Sequence, residues 1–356
     1  MQFPLSTDWM IPMLVNGIHR KTVEFNDGRL TLVNQPLLPH RFETVSFTDY
    51  REVAKAITNM VVRGAPAIGA AAAYALALAE NEGADLSEAA TLLKSARPTA
   101  QDLFSSVDSV LKAVDTGKSA ADAADEISAA YESACKNIGE LGAGLITEGM
   151  VVNTHCNAGW LATVDWGTAT APMYVAKRRG VGFSVIVDET RPRCQGSRIT
   201  AFELAGEGID HAVIADNAAG HLMARGNIDL VIVGSDRIAA NGDIANKIGT
   251  YTSALAAYEN GIPFYVAAPL ATIDPECASG ETIPIEMRNG DEVACMFGAD
   301  IRTGEMRTIR IAPEASNIYN PAFDVTPARF ITAIITETGI FKPENILDAL
   351  NRIIDG

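Results

Sequence analysis

Basic residues are in short supply: 28 Lys and Arg face 44 Asp and Glu, for a net charge of −16, and no basic run exceeds Lys177-Arg178-Arg179. Such a field repels nucleic acid and anionic lipid, so neither is expected as a partner. The cysteines, Cys135, Cys156, Cys194, Cys277 and Cys295, are odd in number and widely spaced, with no C-x-x-C pair and no zinc-type spacing. That excludes a disulfide scaffold and fits reduced thiols in the cytoplasm. The first residues lack the basic and apolar regions of a signal peptide. The longest uncharged stretch, Gly64 to Ala79, is too short and too alanine-rich for the ~20 apolar residues of a bilayer helix. Neither export nor membrane insertion is expected. G-x-G-x-x-G after a strand and G-x-x-x-x-G-K-[ST] are both missing, which removes the usual dinucleotide and nucleoside-triphosphate cradles.

What is present is an ordinary globular composition, 48% apolar and 20% charged, over 356 residues. That length exceeds one core, so two domains are expected, residues 1–130 and 131–356. In the first, Leu14–Phe25 and Arg29–Val33 read as a hairpin around Asn26-Asp27-Gly28. Helical spacing follows over Tyr50–Met60, Pro66–Ala79, Asp102–Val114 and Ser119–Asn137. From Met150 the pattern becomes short β-rich runs, Met150–Cys156, Phe183–Glu189, His211–Asn217, Leu230–Asp236 and Phe264–Leu270. Helix-length segments separate them near Trp166–Arg178, Arg198–Gly206, Ala219–Arg225 and Asn246–Tyr258. The expected fold is therefore α/β: a Rossmann-like open parallel sheet in the C-terminal domain, and a smaller, mainly helical N-terminal domain carrying a β-hairpin.

Four of the five runs end in a reactive or polar group: Cys156, Asp188-Glu189, Asp216-Asn217 and Asp236. Ligands bind at the carboxyl ends of strands in open α/β sheets, so these tips define the candidate site. Arg63-Gly64-Ala65-Pro66 sets a guanidinium and free amides at a helix start, which suits a phosphate. Arg97-Pro98-Thr99 repeats the device. After Asp236, a polar loop is expected to deliver Asn246 and Lys247 to a helix start. A lone cysteine is more often an inert core residue than a reactive group; its place at the rim singles out Cys156. Neighbouring strand side chains point to opposite faces, so His155 is not expected to touch its sulfur. Core or solvent roles, not metal binding, are expected for His211 and His221.

At this point the segments cease to be generic. Arg63 to Gly69, Asn153 to Gly159, Glu189 to Gly196, Asp236 to Lys247 and Tyr319 to Pro327 together resemble methylthioribose-1-phosphate isomerases, in order, from about residue 10 to 340. That family is grouped with ribose-1,5-bisphosphate isomerases and with non-catalytic regulatory subunits of the translational nucleotide exchange factor, so fold alone does not decide function. The resemblance implies an aldose–ketose isomerase of methionine salvage that takes a small sugar phosphate. It implies Cys156 and Asp236 as the catalytic pair, with Arg63, Gly64, Ala65, Arg97, Gln195, Asn246 and Lys247 on the substrate, and a homodimer. No cofactor or metal is expected, because the cations and backbone amides neutralise the phosphate. Gln101-Asp102, Trp160 and Trp166–Pro172 depart from the family pattern and leave the 5-substituent open between methylthio, a 5-deoxy methyl and another small group.

Overall fold

A computed structural model describes residues 14–15, 18–97 and 100–352. Near its start, β1 (Leu14–Val15) pairs with β2 (Ile18–His19), and β3 (Val23–Asn26) with β4 (Arg29–Val33). Asp27 and Gly28 turn the second pair with φ of 50° and 69°, the double left-handed turn that Asp-Gly adopts readily. A third strand, β5 (Thr44–Phe47), completes this small sheet. The continuous strand expected from Leu14 to Phe25 is interrupted. Between His19 and Val23, the Thr22 amide donates instead to the Val164 carbonyl at 3.0 Å and its hydroxyl to the Trp160 carbonyl at 2.7 Å.

Five helices follow: α1 (Tyr50–Thr58), α2 (Ala65–Asn81), α3 (Leu86–Ala96), α4 (Gln101–Asp115) and α5 (Ala120–Gly142). Every residue of α2 from Ala65 to Ala79 is buried. Its alanines and Gly69 let neighbouring helices approach closely: a Cβ on Gly69 would lie 2.7 Å from the Ser106 hydroxyl. Ile68, Leu76 and Leu78 anchor this core, each contributing about 2 kcal/mol by burial. The helix α3 was not anticipated; Asp85 caps it by accepting from the amides of Ser87 and Glu88. The long α5 gives Ala123, Ala124 and Tyr131 to this core and Cys135 and Ile138 to the next.

Thereafter strands and helices alternate: β6 (Val151–Thr154), α6 (Ala171–Arg178), β7 (Ser184–Asp188), α7 (Ala201–Gly206), β8 (Asp210–Ile214), α8 (Ala219–Ala224) and β9 (Leu230–Val233). Next come β10 (Arg237–Ala239), β11 (Ile244–Lys247), α9 (Thr250–Glu259), β12 (Phe264–Ala267) and β13 (Ile273–Asp274). The chain closes with β14 (Cys295–Ala299), β15 (Met306–Arg310), β16 (Phe323–Thr326), β17 (Ala333–Thr336) and β18 (Gly339–Phe341). A seven-stranded sheet runs β18-β17-β12-β9-β6-β7-β8, parallel except at its β17–β18 edge. From β6 the chain steps outward through β7 and β8, then returns to lay β9 on the other side of β6. The strand order therefore reverses between β6 and β9, the kind of switch point where open α/β sheets leave a crevice.

Three expectations need correcting. The helix expected from Trp166 begins only at Ala171, because Trp166 and Gly167 take φ of 70° and 80°. Asn246 and Lys247 open no helix: they lie in β11, antiparallel to β10 and β16, and the helix starts at Thr250 after Gly249 turns the chain at φ 105°. The strand expected to reach Asn217 ends at Ile214. Among the described residues no helix is long and apolar enough to cross a membrane.

Candidate active site

The reversal point is occupied by a cavity, and β6 and β9 each send a reactive group to it. Cys156 lies two residues past β6 at φ 62°, a left-handed position costing roughly 1–3 kcal/mol for a residue with a side chain. Two hydroxyls hold it there: its amide donates to Thr190 Oγ1 at 2.7 Å, and its carbonyl accepts from Thr200 Oγ1 at 2.6 Å. Asp236 follows β9 through Gly234, where a Cβ would meet that of Ala158 at 2.7 Å, and its amide donates to the Ala245 carbonyl at 2.9 Å. Both residues line the same cavity.

Facing them is the start of α2. Gly64 has φ 96°, and a Cβ there would stand 2.2 Å from the Ala162 carbonyl oxygen, so only glycine fits. Gly64 and Ala65 line the cavity beside Arg63, whose guanidinium donates to the Asn157 side-chain oxygen at 2.5 Å and to its carbonyl at 2.6 Å. Arg97, at the end of α3, is buried 3.5 Å from Glu286, with its Nε unpartnered. Pro98 and Thr99, the rest of that expected device, lie outside the described residues. From β11, Lys247 donates to the Ala322 carbonyl at 3.0 Å and Asn246 to Thr250 Oγ1 at 3.0 Å. Buried Gln195 lines the same wall, its Oε1 without a hydrogen bond. All nine residues singled out from the sequence thus border one space.

The electrostatics follow from burial set against this ring of cations. Burial pushes the Asp236 carboxyl above its ordinary range, while Arg97, Arg63, Arg288 and Lys247 pull the other way. Burial likewise raises the Cys156 thiol, against Arg63 and Lys247. The Lys247 ammonium is brought down to about 8, again by burial, with Cys156 opposing. Such a site can hold an anion and move protons at the oxygens beside it.

Not every expected group converges. Asp188 turns beneath the rim toward His155, and Asp216 accepts from the amides of Thr190 and Arg191, so neither borders the cavity. Trp160 and Trp166 are core residues; of that variant segment, Thr168 reaches the cavity. The sequence reading missed Arg288, which lines the cavity with its Nε 3.1 Å from Glu286 and its guanidinium over the Phe323 ring. It sits in an irregular segment with no periodicity, and the signal available was its Glu-x-Arg pairing with Glu286. Met60, which also borders the space, lies two residues past α1 with φ 57°.

With the geometry in place, comparison with known proteins defines the class: the profile of the initiation factor 2 subunit family matches residues 61–343, and the chain belongs to that family. Its relatives narrow this further. A methylthioribose-1-phosphate isomerase from Methylocella silvestris is 50% identical over 336 residues, spanning 88% of this chain and 90% of that protein. One from Escherichia coli O45:K1 is 48% identical over 348 residues, spanning 92% and 93%. The crystal structure of 5-methylthioribose 1-phosphate isomerase from Pyrococcus horikoshii OT3 superposes with a TM-score of 0.81 at 40% identity, covering 100% of this chain and 99% of that one. A structure described as translation initiation factor eIF-2B subunit delta from A. fulgidus is also 40% identical, with a TM-score of 0.79 over 93% of this chain and 99% of that one.

Proposed function

We propose that this chain is an aldose–ketose isomerase converting 5-methylthioribose 1-phosphate into 5-methylthioribulose 1-phosphate, as its relatives' names describe for them. The observation that carries this is the meeting of Cys156 and Asp236 over a cavity ringed by Arg63, Arg97, Lys247 and Arg288. A regulatory subunit of the same family has no need of an acid and a thiol facing an anion cradle. In this reading the N-terminal residues 1–130 form the smaller helical domain and 131–356 the Rossmann-like domain. The protein works as a homodimer in the cytoplasm, within methionine salvage.

A sugar esterified at its anomeric oxygen cannot open to a free aldehyde, so the ring must break with the phosphate attached. Asp236 protonates the ring oxygen as the bond to the first carbon cleaves, and the burial that raises its pKa favours the protonated form this step needs. The hydrogen on the second carbon then moves to the first with its electron pair. The second carbon becomes a carbonyl as its hydroxyl proton passes to the carboxylate left by the first step, so the acid is restored and the redox state is unchanged. Burial holds Cys156 as a thiol, and a bound phosphate that neutralises Arg63 and Lys247 reinforces this, which favours a thiol that shapes and polarises the site over a thiolate base.

Incubation of the purified protein with 5-methylthioribose 1-phosphate, 5-deoxyribose 1-phosphate and ribose 1,5-bisphosphate tests the substrate. Turnover of the first is expected to exceed the others; no turnover of any of them would remove the proposal. In deuterated water, the product is expected to carry no solvent deuterium at its first carbon. Incorporation there would replace the hydride shift with an enolate route through Cys156.

A further inference from the structure

We propose that His155 is a positioning residue carried as an imidazolium, whose two N–H groups lock the Cys156 end of β6 to the turn that follows Lys247. The ring is buried, with Nδ1 2.8 Å from Asp188 Oδ2 and Nε2 2.8 Å from the Ile248 carbonyl oxygen. A carboxylate and a backbone carbonyl are both acceptors. A neutral imidazole has one N–H, so either tautomer would press a ring lone pair against an oxygen lone pair at hydrogen-bonding distance. The doubly protonated ring satisfies both contacts. The other oxygen of Asp188 accepts from Asn153 Nδ2 at 3.0 Å, so β6 itself fixes the counter-ion.

The turn bears independent marks of the same contact. Gly249 takes φ 105°, and a Cβ there would lie 2.8 Å from His155 Cε1 and 2.9 Å from Nε2, so the chain lies against the ring where only glycine fits. On its far side the turn is held by Asp324, which accepts from the amides of Gly249 at 2.7 Å and Tyr251 at 3.1 Å. His155 thus closes a chain of contacts from Cys156, through Asp188 and Ile248, to Lys247. The thiol follows β6 and the ammonium lies in β11, and this clamp sets their separation across the cavity. Burial acts against the ring's charge, but Asp188, the Ile248 carbonyl and the nearby Asp216 outweigh it and raise its pKa above the ordinary histidine value. Asp324 also faces the ring, and Cys156 and Lys247 border the same cavity as His155.

This role rests on the isomerase reading for its consequence in catalysis, but not for its detection. In nitrogen-15 NMR of labelled wild-type protein at about pH 7.5, the His155 ring, assigned by its loss in His155→Gln, is expected to show both nitrogens protonated. A neutral tautomer would overturn the proposal whether or not any substrate is turned over. Alkylation of Cys156 is expected to change rate in His155→Gln with the circular dichroism spectrum retained; an unchanged rate would contradict the clamp. For turnover of 5-methylthioribose 1-phosphate, Asp188→Asn removes the counter-ion, so kcat is expected to fall about tenfold or more as pH rises from 6 to 8, where the wild type stays level. A variant with the wild-type pH profile would reduce His155 to a structural residue. Should Asp188→Asn fail to fold, the wild-type NMR result alone decides.

Discussion

The rim cavity and the interior of the helical layer bury the same kinds of group to opposite ends. In the helical layer, Asp102 is fully buried, and burial pushes its carboxyl up to about 7, with the negative charge of Asp236 adding to the rise and Tyr131 opposing it. Cys135 is as deeply buried, and its thiol is driven far above its ordinary range. At the rim, burial also raises Asp236 and Cys156, but Arg63 and Lys247 oppose it at both, joined at Asp236 by Arg97 and Arg288. Residue type does not make a carboxyl or a thiol useful. A buried carboxyl or thiol is placed for chemistry where cations oppose its burial, and is left to packing where none does.

The sharpest way to break this contrast is to remove the rim acid. Asp236→Asn should lower kcat by about 10³-fold while circular dichroism and melting stay near wild type, because what is lost is a proton donor and not a packing element. Loss of folding instead would make Asp236 structural. Next in size is the thiol pair. Cys156→Ala should cost about 10²-fold in turnover, whereas Cys135→Ala should leave turnover alone and cost roughly 1 kcal/mol of stability, read by denaturant titration.

Lys247 comes third. It is charged below about 8 and loses its charge as pH rises through that value, so KM for the sugar phosphate should climb on the alkaline side. Lys247→Met should raise KM by about tenfold and abolish the climb. Asp102→Asn has the smallest effect on turnover and a clear one on stability. Its folded-state pKa of about 7 exceeds the ordinary aspartate value of 3.8, so the stability it contributes is present below the lower value and lost as pH rises to the upper. Wild-type stability should therefore fall between about pH 4 and pH 7, by on the order of 4 kcal/mol from this group. The Asn variant should remove that slope.

Much of this was legible in the sequence. The five β-rich runs after Met150 are the parallel strands β6, β7, β8, β9 and β12; β6, β9 and β12 lie inside the sheet and carry near-continuous buried side chains, whereas β8 is its exposed edge. Of the strand tips, Cys156 and Asp236 reach the cavity while Asp188 and Asp216 do not; the Arg63-Gly64 turn was readable because its backbone admits only glycine. The β10–β11 excursion was not, since Asp236 to Lys247 is polar and reads as a loop until β16, some 75 residues later, supplies its partner strand. Arg288 escaped for the same reason: long-range pairing places it, and periodicity carries no trace of such pairing. The helix α3 was passed over although Asp85 and its first-turn Glu88 mark its start.

Cysteine alkylation read by mass spectrometry, with and without 5-methylthioribose 1-phosphate, tests most directly whether thiol and anion cradle form one site. Iodoacetamide is expected to label Cys156 slowly in the free protein and to be excluded from it as substrate saturates, with Cys135 unlabelled in both. Labelling of Cys156 at an undiminished rate under saturating substrate would contradict a shared site.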